Sequence, residues 1–231
     1  MWLNEQQIIP SAIRAYRKAL VRSTPHHVVI DGLFAQAKLD LVAQALQQEK
    51  QWKTQKHSYS ALYVNNATWQ ETPDTERFVQ RDLWERTGHP ADNPESAIAL
   101  EFLSFLRSNE FMSLLSRIFD VQITDINVAK PEVNTNFFRL SASDFVNQHA
   151  DDSPGREVCM LLYLNQNWQS DNGGELMFMG KDNGPVTIAP LYNRCVLFDP
   201  SSEGSEHWVK AVTGETAGCY RYNITSWYWS E

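Results

Sequence analysis

A histidine and an aspartate lie one residue apart in the segment Gln148-His149-Ala150-Asp151. If this segment ends a β-strand, both side chains leave the same face of the sheet, because side-chain direction alternates along a strand. One imidazole and one carboxylate on a common face are two of the three ligands of the 2-His-1-carboxylate site that binds non-haem iron(II). The composition predicts by chance roughly 0.7 cases of a histidine followed two residues later by Asp or Glu. A strand-end histidine beside a solvated aspartate is therefore the alternative reading of the motif.

Two later segments of the sequence support the hypothesis of a metal site. His207 is the only histidine after Asp151, and a strand over EHWVKAV would place His207 and Val209 on one face. The last strand would place Arg221 on the same face as Trp227. An inward-facing arginine is costly unless it meets an anion, and arginine binds a carboxylate through two parallel hydrogen bonds. The pattern indicates a site for an organic acid beside the metal, with a solvated arginine at the barrel end as the alternative.

The elements that position these residues change in character near residue 120. Before it, helical periodicity predicts helices over 35–50, 94–107 and 109–119, with a short strand at 26–30. After it, the period shortens to two, and turn sequences separate the predicted segments. This order predicts an α+β, mainly β fold, a jelly roll with packed N-terminal helices. The predicted strands lie near 122–130, 135–140, 144–150, 157–164, 174–179, 185–189, 194–199, 207–213 and 218–229.

Residues 53–92 fit neither period, because they are polar and interrupted by aromatic side chains. Long loops of this kind are usually functional, and a lid is the expectation here. We expect one domain over 1–231. Residues 1–120 would form helical support and the lid region, and residues 121–231 would form the jelly-roll catalytic core.

Composition restricts the cellular role. The formal net charge is −8 with no basic stripe, which argues against a nucleic-acid partner. We expect no signal peptide and no membrane-spanning helix, because no apolar stretch is long enough. The three cysteines, Cys159, Cys195 and Cys219, lack CxxC spacing. We therefore expect reduced thiols and a cytoplasmic protein. The sequence leaves the oligomeric state open.

Five segments resemble, in order and spacing, the prolyl-hydroxylase-like 2-oxoglutarate/iron dioxygenases. The resemblance covers about residues 120–231 and implies a double-stranded β-helix, a jelly-roll variant. One departure stands out: this family often has a further tyrosine about ten residues before the HxD motif, where this chain has Asn136-Phe137-Phe138-Arg139. The segments are His149-Ala-Asp151, Tyr163-Leu-Asn, Gly173-Gly-Glu-Leu176, His207-x-Val209 and Arg221-Tyr-Asn-Ile-Thr-Ser-Trp-Tyr228.

The resemblance implies a role for each matched residue. His149, Asp151 and His207 would bind iron(II). Arg221 and Tyr163 would bind the distal carboxylate of 2-oxoglutarate. The remaining matched residues would line the cosubstrate pocket: Leu176, Val209, Thr225 and Trp227. The other histidines lack a partner at ligand spacing and are expected to be ordinary surface or core residues: His26, His27, His57 and His89.

The implied activity is hydroxylation of a C–H bond with 2-oxoglutarate and dioxygen as cosubstrates and ascorbate as reductant. Asp151 favours hydroxylation, because halogenating relatives use the carboxylate position for a halide. A peptidyl residue, especially proline, is the leading substrate by resemblance. A free amino acid or other small metabolite is the alternative. Outside the oxygenases, a jelly-roll binding module or a cupin-type metal protein stays open.

Overall fold

The computed structural model describes residues 1–86, 94–182, 184–213 and 220–230. The helices are α1 (Pro10–Leu20), α2 (Gln36–Gln48), α3 (Asn66–Glu71), α4 (Pro94–Leu106) and α5 (Asn109–Phe119). The strands are β1 (His27–Asp31), β2 (Trp52–Ser58), β3 (Arg77–Trp84), β4 (Thr135–Leu140), β5 (Phe145–Val146), β6 (Arg156–Tyr163), β7 (Leu176–Phe178), β8 (Val186–Ile188), β9 (Arg194–Phe198), β10 (His207–Val209) and β11 (Arg221–Trp229).

The strands form two antiparallel sheets. The main sheet has the order β1-β9-β6-β11-β4-β3-β2, with β5 paired to β3, and the small sheet has the order β10-β7-β8. Side chains from β6 and β9 pack against side chains from β7 and β8 in one buried cluster. The two sheets therefore enclose a core between them. This arrangement confirms the predicted jelly roll.

The central strands of the main sheet are buried on both faces, because they carry apolar side chains that point alternately to one face and to the other. In β6, Cys159, Leu161 and Tyr163 belong to the cluster between the sheets. Val158 and Met160 alternate with them and belong to the cluster beneath the helices. One face of the main sheet therefore packs against the small sheet, and the other face packs against the helices.

Helices α1, α2, α4 and α5 pack their apolar faces against the main sheet. In α5, Ser108 caps the first turn by accepting a hydrogen bond from the Phe111 N–H, and the helix ends at Asp120 in the left-handed region. The predicted helices over 35–50, 94–107 and 109–119 are confirmed as α2, α4 and α5. Helix α1 was not predicted, because its short basic sequence buries only Ile13 and Leu20.

The prediction that 53–92 is a long loop was wrong for most of its length. Residues 52–58 and 77–84 form β2 and β3, which pair with each other and extend the main sheet beyond β4. Together with β1, they give residues 1–120 three strands of this sheet as well as its helices. The error arose because β2 is an edge strand, and edge strands carry polar side chains that hide the period of two. Residues 87–93 lie outside the described residues.

The predicted strand over 122–130 was also wrong. These residues have no regular structure, although Ile123 is buried. The backbone N–H groups of Thr124 and Asp125 both donate to the Trp229 carbonyl, so the segment is held against the end of β11. Asp125 also forms a buried ion pair with Arg107. The apolar spacing that suggested a strand has no sheet behind it, because Ile123 is buried but Ile126 is 77% exposed.

Two expectations about composition can be compared with the fold. None of the described helices is long and apolar enough to cross a membrane. Cys159 and Cys195 are buried free thiols, as predicted. Cys219 and His89 lie outside the described residues.

Candidate metal and cosubstrate site

The two histidines of the predicted triad pair directly across an isolated antiparallel bridge between the sheets. The His149 N–H donates to the His207 carbonyl at 3.0 Å, and the His207 N–H donates to the His149 carbonyl at 2.9 Å. Asp151 follows two residues after His149, and ligand atoms of all three residues lie within 4.8 Å of one another. No other group of three or more potential ligands occurs among the described residues.

Backbone carbonyls fix the orientation of both imidazole rings. Nδ1 of His149 lies 2.9 Å from the Asn147 carbonyl, and Nδ1 of His207 lies 3.0 Å from the Ser205 carbonyl. A carbonyl only accepts, so each Nδ1 carries the proton and each Nε2 keeps a free lone pair. Burial and the neighbouring His149 lower the pKa of His207 to about 4, so its ring is neutral near pH 7. Both rings are therefore prepared to bind a metal through Nε2.

The third candidate ligand is the Asp151 carboxylate, which one hydrogen bond fixes in orientation. Asp151 Oδ2 accepts a hydrogen bond from Trp227 Nε1 at 2.8 Å, and Oδ1 lies 3.8 Å from His149 Nε2. Burial opposes ionisation of Asp151, but the two histidines and the Trp227 hydrogen bond together lower its pKa below the ordinary value. The carboxylate is charged and directed toward the imidazoles. Two imidazoles and one carboxylate fit iron(II) with open coordination positions.

A buried cation lies at another part of the same cavity. Arg221 is only 1% exposed. Its Nε donates to the Gly174 carbonyl at 2.6 Å and its Nη1 to Asn223 Oδ1 at 2.8 Å, but its Nη2 has no partner. The Tyr163 hydroxyl is likewise buried without a partner, and its ring lies 4.9 Å from the Arg221 guanidinium. Burial raises the pKa of Tyr163 to about 12, so this hydroxyl remains a donor.

These unpaired donors identify the kind of group that the pocket accepts. Buried polar groups are nearly always hydrogen-bonded, and an unpaired buried guanidinium donor is costly. A carboxylate of 2-oxoglutarate would satisfy Arg221 and Tyr163 together. Backbone geometry makes the room for Arg221, because a β-carbon on Gly174 would lie 2.9 Å from Arg221 Cδ. Gly174 has a φ of +73°, which also favours glycine.

The other residues expected at the cosubstrate pocket lie in the same place. A cavity of about 800 Å³ contains the triad and Arg221. Thr225 accepts a hydrogen bond from the Asn223 amide at 3.0 Å, which continues the polar row along β11. The remaining predicted residues also line this cavity: Leu176, Val209, Thr225 and Trp227.

Arg139 has no place at the site. Its side chain pairs with Asp82 at 3.0 Å and stacks on Trp52 and Tyr220, on the opposite side of β4 from the cavity. Phe138 faces the cavity instead, so an apolar ring stands in the strand where the related family often has a phenol. Strand parity decides this, since neighbouring residues point to opposite faces.

Two cavity residues were missed by sequence reasoning because they lie in the misread segment 53–92. Arg81 on β3 and His57 on β2 both line the cavity. Burial, Arg81 and His149 lower the pKa of His57 to about 4, so its ring is neutral, and Nδ1 accepts a hydrogen bond from the Tyr63 N–H at 3.2 Å. Recognition of β2 and β3 as a strand pair would have placed both residues on the inward face.

Comparison with known proteins agrees with the site. Residues 135–229 match the sequence profile of the 2OG-Fe(II) oxygenase superfamily. The matched residues are similar to this superfamily from β4 to β11, a span that includes the triad residues and Arg221. Over 130 residues, 54% of the chain, the sequence is 25% identical to prolyl 3-hydroxylase OGFOD1 of Mus musculus. The match spans 22% of that relative, so the chain corresponds to about a fifth of its length.

Solved structures share the fold of this chain. A prolyl hydroxylase from Trichoplax adhaerens, in complex with a hypoxia inducible factor oxygen degradation domain peptide fragment, has a TM-score of 0.66 at 22% identity. That match covers 98% of this chain and 94% of the other. A prolyl-4-hydroxylase from Pseudomonas putida has a TM-score of 0.60 at 17% identity, covering 94% and 98%. At these identities the likeness establishes the fold.

Proposed function

We propose that the chain is an Fe(II)- and 2-oxoglutarate-dependent dioxygenase that hydroxylates a C–H bond of a peptidyl residue, with proline as the first candidate. One observation carries the proposal. The cavity that contains the triad His149, Asp151 and His207 is also lined by Arg221, whose Nη2 is buried without a partner. The Tyr163 hydroxyl is likewise buried without a partner, and its ring lies 4.9 Å from the Arg221 guanidinium. A catalytically silent binding module or a cupin-type metal protein has no need of that second feature.

Different residues would bind the metal and the cosubstrate. The triad would hold iron(II), and Arg221 with Tyr163 would hold the distal carboxylate of 2-oxoglutarate. When bound, iron(II), 2-oxoglutarate and dioxygen supply an oxidation that releases succinate and CO₂ and places one oxygen atom in a C–H bond. Leu176 and Val209 provide apolar walls that keep water from the reacting groups. Ascorbate would serve as the external reductant, and the reduced thiols are compatible with a cytoplasmic location.

The peptide assignment is supported by relatives rather than by a contact in the chain. The mouse relative is a prolyl 3-hydroxylase, and the Trichoplax adhaerens structure is a prolyl hydroxylase in complex with a peptide. The cavity is bordered by a turn between β2 and α3 that exposes Leu62 and Tyr63. Exposed apolar side chains beside a cavity are typical of a surface that contacts a polypeptide.

Conversion of 2-oxoglutarate to succinate without added substrate tests the oxygenase assignment. We expect slow turnover by the wild-type protein with iron(II) and ascorbate, measured by NMR. His149→Ala and Asp151→Ala should reduce it to the background of free iron, because each removes a metal ligand. His26→Ala is the matched control, since His26 is half exposed and does not line the cavity. Equal turnover by the ligand variants and the wild type would refute the metal site.

Two further measurements separate the parts of the proposal. Arg221→Ala should weaken 2-oxoglutarate binding by about 10-fold or more, because a hydrogen bond to a charged group contributes about 1.5–3 kcal/mol.

Peptides that contain proline should gain the mass of one oxygen atom in the complete reaction. If free proline gains it and no peptide does, the substrate is the free amino acid.

A further inference from the structure

A second guanidinium lies in the wall of the cavity, on a different strand from Arg221. Arg81 on β3 lies face-on against the Phe138 ring, with Cζ 3.5 Å from the ring centroid. Its Nε donates to Gln55 Oε1 at 3.2 Å, which fixes the plane of the guanidinium. Among the described residues, no acceptor binds its Nη atoms and no carboxylate forms an ion pair with it. The side chain is thus held in one orientation with its fork of donors free.

Arg81 lies on a different strand from the cosubstrate donors. Strand β4 separates β3 from β11, which places Arg81 and Arg221 two strands apart, about 10 Å at the backbone. His57 lies beside Arg81. The Asp151 carboxylate and the rim residue Tyr63 favour the charged form of Arg81, whereas Arg221, which Tyr163 accompanies, opposes it. Burial lowers the pKa of Arg81 to about 10, so it remains charged near pH 7.

A count of charges shows that this cation is not balanced. Three of the cavity's charged residues are positive and two are negative, and His57 is neutral near pH 7. Iron(II) and the 2-oxoglutarate dianion cancel each other, so the loaded cavity keeps one positive charge in excess. Arg81 is only partly exposed, so an unbalanced charge there is unfavourable, and a substrate anion would reduce that cost. The charged residues are Arg81, Arg156, Arg221, Asp151 and Glu206.

We propose that Arg81 forms a carboxylate-binding subsite for the substrate, so that the group hydroxylated by this enzyme lies close to a carboxylate. The inference rests on the proposed function and adds the chemical class of its substrate. The carboxylate belongs either to an acidic side chain next to the target residue in a peptide or to the free carboxyl group of an amino acid. A single carboxylate is meant rather than an acidic run, because the chain's net charge of −8 repels extended acidic segments.

Paired probes that differ only in this charge test the subsite. The first set is a proline-centred peptide with blocked ends that carries one Asp, or one Asn, at each of three positions on either side of the proline. The second set is free L-proline and L-prolinamide. Binding is measured by titration calorimetry with Mn(II) in place of iron(II) and with 2-oxoglutarate present, so that affinity is read without turnover.

We expect the wild-type protein to prefer the carboxylate probe by about 10-fold or more in one of the two sets, which also identifies the source of the carboxylate. Arg81→Gln should abolish the preference and change 2-oxoglutarate affinity by less than threefold. Arg81→Lys should keep part of the preference, because it retains the charge without the planar fork. Lys53→Gln is the matched control, since it removes one positive charge from the neighbouring strand outside the cavity.

Two results would overturn the inference. One is the absence of any carboxylate preference in both sets, including the case in which no probe binds. The other is a loss of 2-oxoglutarate affinity in Arg81→Gln with the probe preference unchanged, which would assign Arg81 to the cosubstrate. Wild-type turnover of 2-oxoglutarate to succinate is measured separately. If turnover is present, only the carboxylate subsite fails; if turnover is absent, the proposed function fails.

Discussion

The hydrogen bond between Trp227 and Asp151 shows how one side chain on β11 supports a ligand on another segment. Trp227 Nε1 donates to Asp151 Oδ2 at 2.8 Å, while Oδ1 lies beside His149. A donor on one carboxylate oxygen fixes the rotation of the group and favours its charged form. The resemblance had assigned Trp227 only to the pocket lining, and the structure adds this contact with a ligand.

We predict that Trp227→Phe weakens metal binding by about 10-fold to 100-fold, the range for loss of a group that orients a ligand. The pKa of Asp151 should also rise, since the hydrogen bond that favours the carboxylate is lost. The affinity for Mn(II) should therefore decline at a higher pH in the variant as the solution is acidified. Titration of Mn(II) at several pH values measures both effects. Trp229→Phe on the same strand is the control, and an equal loss there would refute the specific role of Trp227.

At the level of single residues, the sequence was most informative where charge, spacing and strand parity acted together. His207 could be chosen because it is the only histidine after Asp151, and Arg221 because a strand would place it on one face with Trp227. Arg81 could not be chosen, because its strand lies in a polar segment with no recognisable motif. Arg139 looked relevant from position alone, but one step in strand register turns it away from the cavity.

At the level of elements, the turn before β7 determines how Arg221 enters the cavity. Gly174 accepts the Arg221 Nε hydrogen bond through its carbonyl, and its lack of a side chain leaves room for the arginine. A β-carbon there would also lie 3.1 Å from Trp168 Cζ2. The paired glycines therefore shape the pocket by permitting close approach as well as a positive φ.

We predict that Gly174→Ala lowers 2-oxoglutarate affinity and also lowers the free energy of unfolding by about 1–3 kcal/mol. The loss of affinity should result from displacement of Arg221. Gly32→Ala separates the two effects, because Gly32 has a φ of +69° but its β-carbon would meet no atom closer than 4.0 Å. Calorimetric titration with 2-oxoglutarate and urea unfolding measure the two quantities. Equal affinities in both alanine variants would contradict this account of Gly174.

Elements with a buried face were predictable, and those at the sheet edge or in irregular connections were not. Helix α5 shows the apolar spacing of an amphipathic helix and was predicted to its ends. Strand β2 lies at the edge and was read as a loop, because its polar residues Lys53 and Thr54 face solvent. Residues 122–130 failed in the opposite way, since their spaced apolar residues form no strand: Ile123 is buried without a sheet partner, and Ile126 is 77% exposed.

At the level of the whole molecule, the main sheet separates a supporting core from a functional one. Phe102 on α4 is fully buried in the cluster beneath the helices. Phe178 on β7 is equally buried between the sheets, with its ring centroid 5.9 Å from the ring centroid of His207. Both phenylalanines stabilise the fold, but of the two only Phe178 lies against a residue of the candidate metal site, His207.

This division predicts different consequences for matched substitutions. Phe102→Leu and Phe178→Leu should each lower the free energy of unfolding by about 1–3 kcal/mol, because each removes buried contact area and leaves space in a packed core. Only Phe178→Leu should also reduce Mn(II) affinity, since the His207 ring loses part of its packing. Urea unfolding of the metal-free protein and Mn(II) titration of each variant measure the two effects. A loss of metal affinity in Phe102→Leu as large as that in Phe178→Leu would show that the sheet transmits helical packing to the site rather than isolating it.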